Sequence, residues 1–239
     1  MKKIMLAALL LAFALPSWAE NLKLAVYSTN DIHGWLFPRA AWFHKPDPNR
    51  LIGGAAVLGN VLRAEKGPKL VLDAGDWFQG TPEGLVTKGE ISIEAFNALG
   101  YDGVLIGNHD FDYGEARLIE LVKKLKAPAL GANIYRKSDK KRVDYATPWI
   151  LKEVAGVKVG IFGLLSVKTP RLTFPGIVKH LEFRREVDEA KEMVKLLREK
   201  GATVVIAVTH LGFEAPQLGQ FEGDQTVARE VAGIDLIVG

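Results

Sequence analysis

Short apolar runs that end in clusters of polar residues constrain the fold of this 239-residue chain more than any other feature. The clearest cluster occupies residues 107–114 (GNHDFDYG) and directly follows the apolar run at residues 104–106. Similar polar clusters follow apolar runs at residues 22–28, 69–72 and 203–208. Such runs are typical of buried parallel strands, so the sequence predicts an α/β fold with its polar clusters at the carboxyl ends of strands.

Helical patterns separate these runs. Apolar residues at three- and four-residue spacing predict amphipathic helices over residues 53–65, 90–99, 113–126, 187–200 and 226–232. A glycine follows several of these segments and can end the helix there. Residues 129–134 predict one further strand, and residues 235–239 begin a last one. Residues 149–154 and 157–163 flank Ala155-Gly156, which is typical of an antiparallel hairpin.

The first nineteen residues differ from the rest of the chain. Lys2 and Lys3 precede an apolar run at residues 4–15, and Ser17-Trp18-Ala19 has the small-residue pattern of a signal cleavage site. We predict a signal peptide over residues 1–19, a domain over residues 20–239, and a secreted, periplasmic protein. A membrane anchor is the alternative, but the run is shorter than the roughly 18 apolar residues of a spanning helix, so no stable membrane insertion is expected.

Charge and cysteine content exclude several classes of protein. Lysine and arginine number 31 against 28 acidic residues, a near balance that predicts no nucleic-acid partner. The chain has no cysteine, so it has neither disulfides nor thiolate metal ligands. Any metal ion must therefore be bound by His, Asp, Glu, Asn or Gln side chains. The sequence leaves the oligomeric state open.

The polar clusters supply the donors that a pair of divalent cations requires. Asp31 and His33 stand two residues apart, so in extended chain both side chains point to the same side. Asp76 is the candidate for a carboxylate shared by two ions, with Asn108 and His210 at two further strand ends. A plain surface loop is the alternative interpretation of the Asp31 cluster.

Three other polar residues have supporting roles in this hypothesis. His109 is beside Asn108 and can face a bound phosphate and assist the leaving oxygen, while Asp112 fixes its tautomer. The alternative is an ordinary polar turn with Asp112 as the N-cap of the next helix. Asp73 lies inside an apolar run, where it either orients a ligand or makes only structural hydrogen bonds.

Four motifs taken in order carry a family resemblance. The chain resembles the calcineurin-like metallophosphoesterases, and is most similar to the secreted bacterial 5′-nucleotidase and UDP-sugar hydrolase family, through residues 30–34 (NDIHG), 75–80 (GDWFQG), 107–112 (GNHDFD) and 209–212 (THLG). The resemblance implies a four-layer α/β/β/α sandwich of two mixed sheets. It also implies two divalent metal ions, chosen from Mn, Zn, Mg and Fe, and hydrolysis by in-line attack of a water that bridges them.

The resemblance assigns a role to each candidate residue. One ion would be held by Asp31, His33 and Asp76, and the other by Asp76, Asn108 and His210. His109 and Asp112 would form the catalytic pair, and Asn108 and His109 would contact the substrate. The substrate implied is a small-molecule phosphate ester, above all a nucleotide.

One departure from the family pattern leaves alternatives open. The family continues with a Gly-His-x-His loop that binds metal and with a C-terminal domain that binds the nucleotide, whereas this sequence stops at Gly239. The expectation is a catalytic domain that lacks these parts. Two alternatives follow: a metallophosphoesterase for a cyclic nucleotide, a UDP-sugar or a sulfur ester, and a non-catalytic secreted module that binds phosphate or metal.

Overall fold

The computed structural model describes residues 22–213 and 223–239, so the signal peptide predicted at residues 1–19 lies outside the described residues. In chain order the strands are β1 Ala25–Thr29, β2 Arg39–Ala40, β3 Leu51–Ile52, β4 Lys69–Asp73, β5 Gly103–Leu105, β6 Ala129–Leu130, β7 Ile134–Arg136, β8 Trp149–Val154, β9 Val157–Leu165, β10 Leu181–Phe183, β11 Val204–His210 and β12 Leu236–Val238. The helices are α1 Ala55–Ala64, α2 Pro82–Val86, α3 Glu90–Leu99, α4 Glu115–Lys124, α5 Thr169–Leu172, α6 Glu186–Glu199 and α7 Asp224–Glu230. A 3-10 turn covers His109–Phe111.

Two four-stranded sheets form the centre of the molecule. The first has the strand order β1-β4-β5-β6 and is parallel throughout, and the second has the order β12-β11-β9-β8, with β8 antiparallel to β9. Two short ribbons, β2-β3 and β10-β7, stand apart from these sheets. Parallel strands align their carboxyl ends at one edge, so the predicted polar clusters share an edge of the molecule.

Apolar cores between and outside the sheets hold the layers together. Side chains from both sheets pack in the space between them, and these include Leu72, Leu105, Ile161 and Val208. Helices α1, α3 and α4 cover the outer face of the first sheet, and α6 covers the outer face of the second. The result is the four-layer α/β/β/α sandwich that the sequence resemblance implies.

Most predicted elements form close to their expected bounds. Helix α3 begins at Glu90 and ends at Leu99 as predicted, and Gly100 takes the left-handed conformation that ends it. The predicted hairpin is formed by β8 and β9. Ala155 and Gly156 between them both have positive φ angles, as the two central residues of a type I′ turn require. Among the described residues no helix has the length and apolar character needed to cross a membrane.

The prediction of one strand over residues 129–134 is wrong. The structure divides this segment into β6 in the first sheet and β7 in the β10-β7 ribbon. Between them the fully buried side chain of Asn133 donates to the carbonyls of Leu165 (2.6 Å) and Arg184 (3.0 Å) and accepts from the Leu165 N–H (2.9 Å). The side-chain amide of Asn133 thus bonds backbone groups in place of a neighbouring strand, and the strand is interrupted. The pattern of apolar residues does not reveal this interruption.

Candidate functional site

The site lies where the carboxyl ends of four strands meet. The loop after β1 carries Asp31 and His33, the loop after β4 carries Asp76, the loop after β5 carries Asn108, and β11 ends at His210. The first three strands belong to one sheet and β11 belongs to the other. The structure therefore brings together, from both sheets, all five residues that the sequence suggests as metal ligands.

The loops after β1 and β4 are joined through their backbones. The N–H of Asp31 donates to the Gly75 carbonyl (3.0 Å), and the N–H of His33 donates to the Asp76 carbonyl (2.9 Å). Asp31, His33 and Asp76 have φ angles of 49°, 48° and 63°. Left-handed backbone costs a residue other than glycine about 1–2 kcal/mol, and such strain is concentrated at functional sites.

The Asp76 carboxylate lies at the centre of the cluster and is 2% exposed. Its Oδ2 is 3.3 Å from His210 Nε2 and 3.7 Å from His33 Nε2, while Asp31 Oδ1 is 3.5 Å from the same His33 nitrogen. Three possible ligand atoms, one each from Asp31, Asp76 and His210, lie within 4.8 Å of one another. Asn108 Oδ1 approaches His210 Nε2 to 3.1 Å. Asp76 thus has the position expected of a shared ligand.

Hydrogen bonds to main-chain carbonyls orient both imidazole rings. His33 Nδ1 lies 2.6 Å from the Gln79 carbonyl, and His210 Nδ1 lies 2.8 Å from the Ala74 carbonyl. A carbonyl only accepts, so each Nδ1 carries a proton and donates it. In the neutral rings the Nε2 lone pairs then face the carboxylates, which is the arrangement that metal-binding histidines adopt.

The pKa values of His210 and Asp76 show that a positive charge beside the Asp76 carboxylate is favourable. Burial lowers the pKa of His210, but the hydrogen bond and charge of Asp76 outweigh it and raise that pKa to about 9. Burial raises the pKa of Asp76, and the hydrogen bond and charge of His210 reverse this, so its pKa is lowered. Without a metal, a proton on His210 would balance the carboxylate. Oxygen and imidazole donors without thiolate suit Mn, Fe, Zn or Mg, so the residues present fit a divalent metal ion.

His109 and Asp112 form a separate pair beside this cluster. His109 Nδ1 is 2.7 Å from Asp112 Oδ2, and the side chains are 35% and 1% exposed. The His109 ring packs edge-on against the His33 ring, with 5.6 Å between centroids. The alternative role of Asp112 as a helix N-cap is wrong, because Gly114 is the N-cap of α4 and no side chain caps that helix.

A cavity of about 260 Å³ opens next to these groups. It is lined by Asp31, Asn108, His210, Ser166 and Gly239, among others. The lining comes from both sheets and includes three of the candidate ligands. The cavity therefore adjoins the cluster on this side.

Comparison with known proteins identifies the family. The model of the calcineurin-like phosphoesterase family matches residues 24–239, which is nearly all of the chain. The chain belongs to the calcineurin-like phosphoesterase family. Members of this family use divalent metal ions, in agreement with the donors at the strand ends.

Two relatives and one solved structure extend this finding. The chain is 36% identical to the snake venom 5′-nucleotidase of Gloydius brevicauda over 242 residues, covering 99% of the chain and 40% of that protein. It is 36% identical to the 5′-nucleotidase of Homo sapiens over 243 residues, covering 98% and 40%. The crystal structure of a 5′-nucleotidase precursor from Thermus thermophilus superposes with a TM-score of 0.78 at 28% identity, covering 90% of this chain and 41% of that one. The chain thus spans about 40% of the length of these relatives.

Asp110, to which the sequence patterns assign no role, supports this metallophosphoesterase site through backbone contacts. Its fully buried carboxylate accepts the backbone N–H groups of Gly107 (2.7 Å), Trp77 (2.8 Å) and Asp76 (3.1 Å). Burial and the Asp76 charge raise the pKa of Asp110, while the bonds from Trp77 and Gly107 oppose the shift. Asp110 fastens the loops after β4 and β5 to each other. An acidic residue immediately before the apolar Phe111 was the signal available in the sequence.

Two glycines permit the close approach of these loops. A Cβ on Gly107 would lie 2.3 Å from both the nitrogen and the Oδ1 of Asp76, and a Cβ on Gly75 would lie 2.8 Å from the Cα of Gly107. The N–H of His109 then reaches Asp76 Oδ1 at 2.8 Å. The loops after β4 and β5, which carry two of the candidate ligands, therefore come into direct backbone contact, which larger residues would prevent.

Proposed function

We propose that this chain is the phosphoesterase portion of a 5′-nucleotidase-like enzyme, which hydrolyses phosphate esters of nucleotides. The observation that supports this most is the convergence of Asp31, Asp76 and His210 ligand atoms within 4.8 Å, at strand ends of a calcineurin-like phosphoesterase fold. The relatives named 5′-nucleotidase match the chain over nearly its full length, which supports a nucleotide as the substrate.

In this proposal two divalent ions occupy the cluster, and their identity is Mn, Zn, Mg or Fe. Asp31, His33 and Asp76 hold one ion, and Asp76, Asn108 and His210 hold the other. When bound, such a pair lowers the pKa of water and neutralises charge on the phosphoryl group during in-line displacement. The two histidines coordinate through Nε2, since each Nδ1 is engaged by a main-chain carbonyl.

His109 and Asp112 act on the departing group. Asp112 binds His109 Nδ1, which leaves Nε2 of the partly exposed ring to donate a proton to the leaving oxygen. Asn108 and His109 also contact the phosphate group.

Phosphate release is the direct test of this proposal. We expect the chain to release phosphate from adenosine monophosphate in the presence of Mn²⁺, and Asp76→Asn to reduce the rate by at least about 10³-fold, because both ions lose the carboxylate that they share. Asp188→Asn, an exposed acid on α6, is the matched control and should keep full activity. Equal rates for the wild type and Asp76→Asn would refute the role of Asp76.

Substrate and compartment need separate experiments. A panel of adenosine monophosphate, a cyclic nucleotide, a UDP-sugar and a sulfur ester separates the phosphoesterase alternatives, and we expect the monophosphate to be preferred. Calorimetry with Mn²⁺ and with nucleotide distinguishes an enzyme from a binding module, which would bind without turnover. We also propose secretion into the periplasm with cleavage after Ala19, which N-terminal sequencing of the exported protein would check.

A further inference from the structure

A short turn that follows a strand of the second sheet contacts Asp112 of the His109–Asp112 pair. This turn consists of α5 and Thr173, and it follows β9 in the chain. Thr173 is buried, and its Oγ1 donates to Asp112 Oδ1 at 2.6 Å. The preceding carbonyl, that of Leu172, accepts from Asn108 Nδ2 at 3.4 Å. The turn therefore contacts the loop after β5 at two of the residues to which the proposed function gives a role.

We propose that Thr173 is a positioning residue for the phosphoester hydrolysis, acting on His109 through Asp112. The inference rests on the proposed function, because it assumes that His109 assists the leaving oxygen. It goes beyond that function by adding a third member, from the other sheet, to the His109–Asp112 pair.

The two oxygens of Asp112 have different partners. Oδ2 lies 2.7 Å from His109 Nδ1, and Oδ1 accepts the Thr173 hydroxyl. The carboxylate is buried, so water cannot replace a missing donor, and an unpaired oxygen there is strongly unfavourable. With Oδ1 held by Thr173, the carboxylate cannot rotate freely, and Oδ2 stays directed at the imidazole. Thr173 thereby keeps the proton on Nδ1 and leaves Nε2 to face the substrate.

Thr173 is itself held firmly. Its N–H donates to the Thr169 carbonyl (3.1 Å), and Thr169 in turn donates its N–H (3.0 Å) and its hydroxyl (2.7 Å) to the Ser166 carbonyl. The N–H of Ser166 donates to the carbonyl of His210 at 3.2 Å. A continuous set of hydrogen bonds therefore ties the position of Thr173 to the strand end that carries a proposed metal ligand. The branched threonine side chain adds a restricted χ1 angle.

Three variants test the inference. Thr173→Val keeps the shape but removes the donor, Thr173→Ser keeps the donor, and Thr169→Val removes a hydroxyl of the same turn that does not reach Asp112. We expect Thr173→Val to lower kcat for adenosine monophosphate about 10- to 100-fold, with KM and Mn²⁺ affinity close to those of the wild type. Its Tm should fall, because the buried Oδ1 of Asp112 is left without a donor. Thr173→Ser should stay within about threefold of the wild type. Thr169→Val keeps the backbone hydrogen bonds that hold Thr173, so it should lose much less activity than Thr173→Val.

The leaving group provides a second readout. An aryl phosphate such as 4-nitrophenyl phosphate departs with little help from an acid, so its hydrolysis should be much less sensitive to Thr173→Val than hydrolysis of the nucleotide. A merely structural role would lower both rates equally. Equal losses on the two substrates, or a valine variant that is as active as the serine variant, would overturn the inference.

A measurement that needs no turnover separates this inference from the proposed function. Imidazole ¹⁵N chemical shifts of His109, assigned with His109→Gln, report which ring nitrogen carries the proton in the neutral ring. We expect the Nδ1–H form in the wild type and in Thr173→Ser, and a mixture of forms in Thr173→Val. An inactive wild type with this tautomer change would reject the phosphoesterase proposal and keep the positioning role, whereas an unchanged tautomer in Thr173→Val rejects the positioning role itself.

Discussion

Asp73 shows how far the surroundings of one residue alter its chemistry. It ends β4 with no exposure to solvent, and its carboxylate accepts from Thr29 Oγ1 (2.6 Å) and from the Gly75 N–H (3.0 Å). Burial raises the pKa of Asp73 to about 7, against the opposing effect of those two hydrogen bonds. The Thr29 hydroxyl also lies 2.8 Å from Tyr101 OH. Of the two roles that the sequence suggests, these contacts favour the structural one, with an added constraint on the loop that carries Asp76.

The raised pKa of Asp73 predicts a specific dependence of stability on pH. The folded pKa of about 7 is above the ordinary value of 3.8, so the folded state binds the extra proton and loses stability as pH rises from about 4 to about 7. Asp73→Asn has no such proton and keeps a neutral hydrogen-bonding group. We therefore expect the difference in unfolding free energy between Asp73→Asn and the wild type to change by roughly 3 kcal/mol in favour of the variant between pH 5 and pH 8.

Urea unfolding of the metal-free protein at the two pH values measures this difference. Asp188→Asn, which replaces an exposed carboxylate, should show the same pH dependence as the wild type. An advantage of Asp73→Asn that stays constant between pH 5 and pH 8 would contradict the assignment.

At the scale of elements, the site depends on how closely the loops after β4 and β5 approach. Asp110 binds backbone N–H groups of both loops, and Gly107 leaves the room that this requires. The loops carry Asp76 and Asn108, so a small displacement between them changes the distance between two proposed ligands. The 3-10 turn His109–Phe111 contributes to this approach, because it places the Asp110 side chain where it contacts both loops.

Gly107→Ala tests this dependence. The added Cβ would lie 2.3 Å from the Asp76 nitrogen and Oδ1, so one of the loops must move. We expect a loss of about 2–4 kcal/mol in unfolding free energy and at least about a 10-fold loss of Mn²⁺ affinity, measured by urea unfolding and calorimetry. Gly67→Ala is the control, because its Cβ would meet only the flexible Glu65 side chain. Unchanged Mn²⁺ affinity in Gly107→Ala would show that the approach is not needed.

At the scale of the whole molecule, the site lies across two sheets that pack face to face. Asp31, Asp76 and Asn108 come from the first sheet, whereas His210 and the α5 turn come from the second. A bound ion would therefore link the two halves of the sandwich. Unfolding must separate those halves, and metal binding should oppose it.

Metal addition should accordingly raise the stability of the entire fold. With Mn²⁺ at about 100 times its dissociation constant, linkage predicts roughly 2.7 kcal/mol of added stability relative to the protein in a chelator. Thermal unfolding with Mn²⁺ and with a chelator measures this increment. His210→Asn should lose most of it, because the second sheet then contributes no imidazole. A variant that gains as much as the wild type would argue against a link between the sheets.

Local patterns in the sequence were sufficient to predict the class of fold and the segments that carry the site. Buried strands appear as apolar runs, amphipathic helices appear as a 3.6-residue period, and the polar residues just past each run can be read directly from the chain. These features depend only on neighbours in sequence. For the same reason the break in the strand predicted over residues 129–134 is not visible in the sequence, since Asn133, which makes the break, has its partners Leu165 and Arg184 32 and 51 residues away.

Only the tertiary structure decided which groups meet. The order of strands and the packing of one sheet on the other bring His210 to the Ala74 carbonyl, 136 residues away, and Thr173 to Asp112, 61 residues away. Burial then sets the pKa of Asp73 and gives Asp110 its three backbone partners. Such contacts arise from the closure of long loops and from the exclusion of water, and neither of these is a property of a local stretch of sequence.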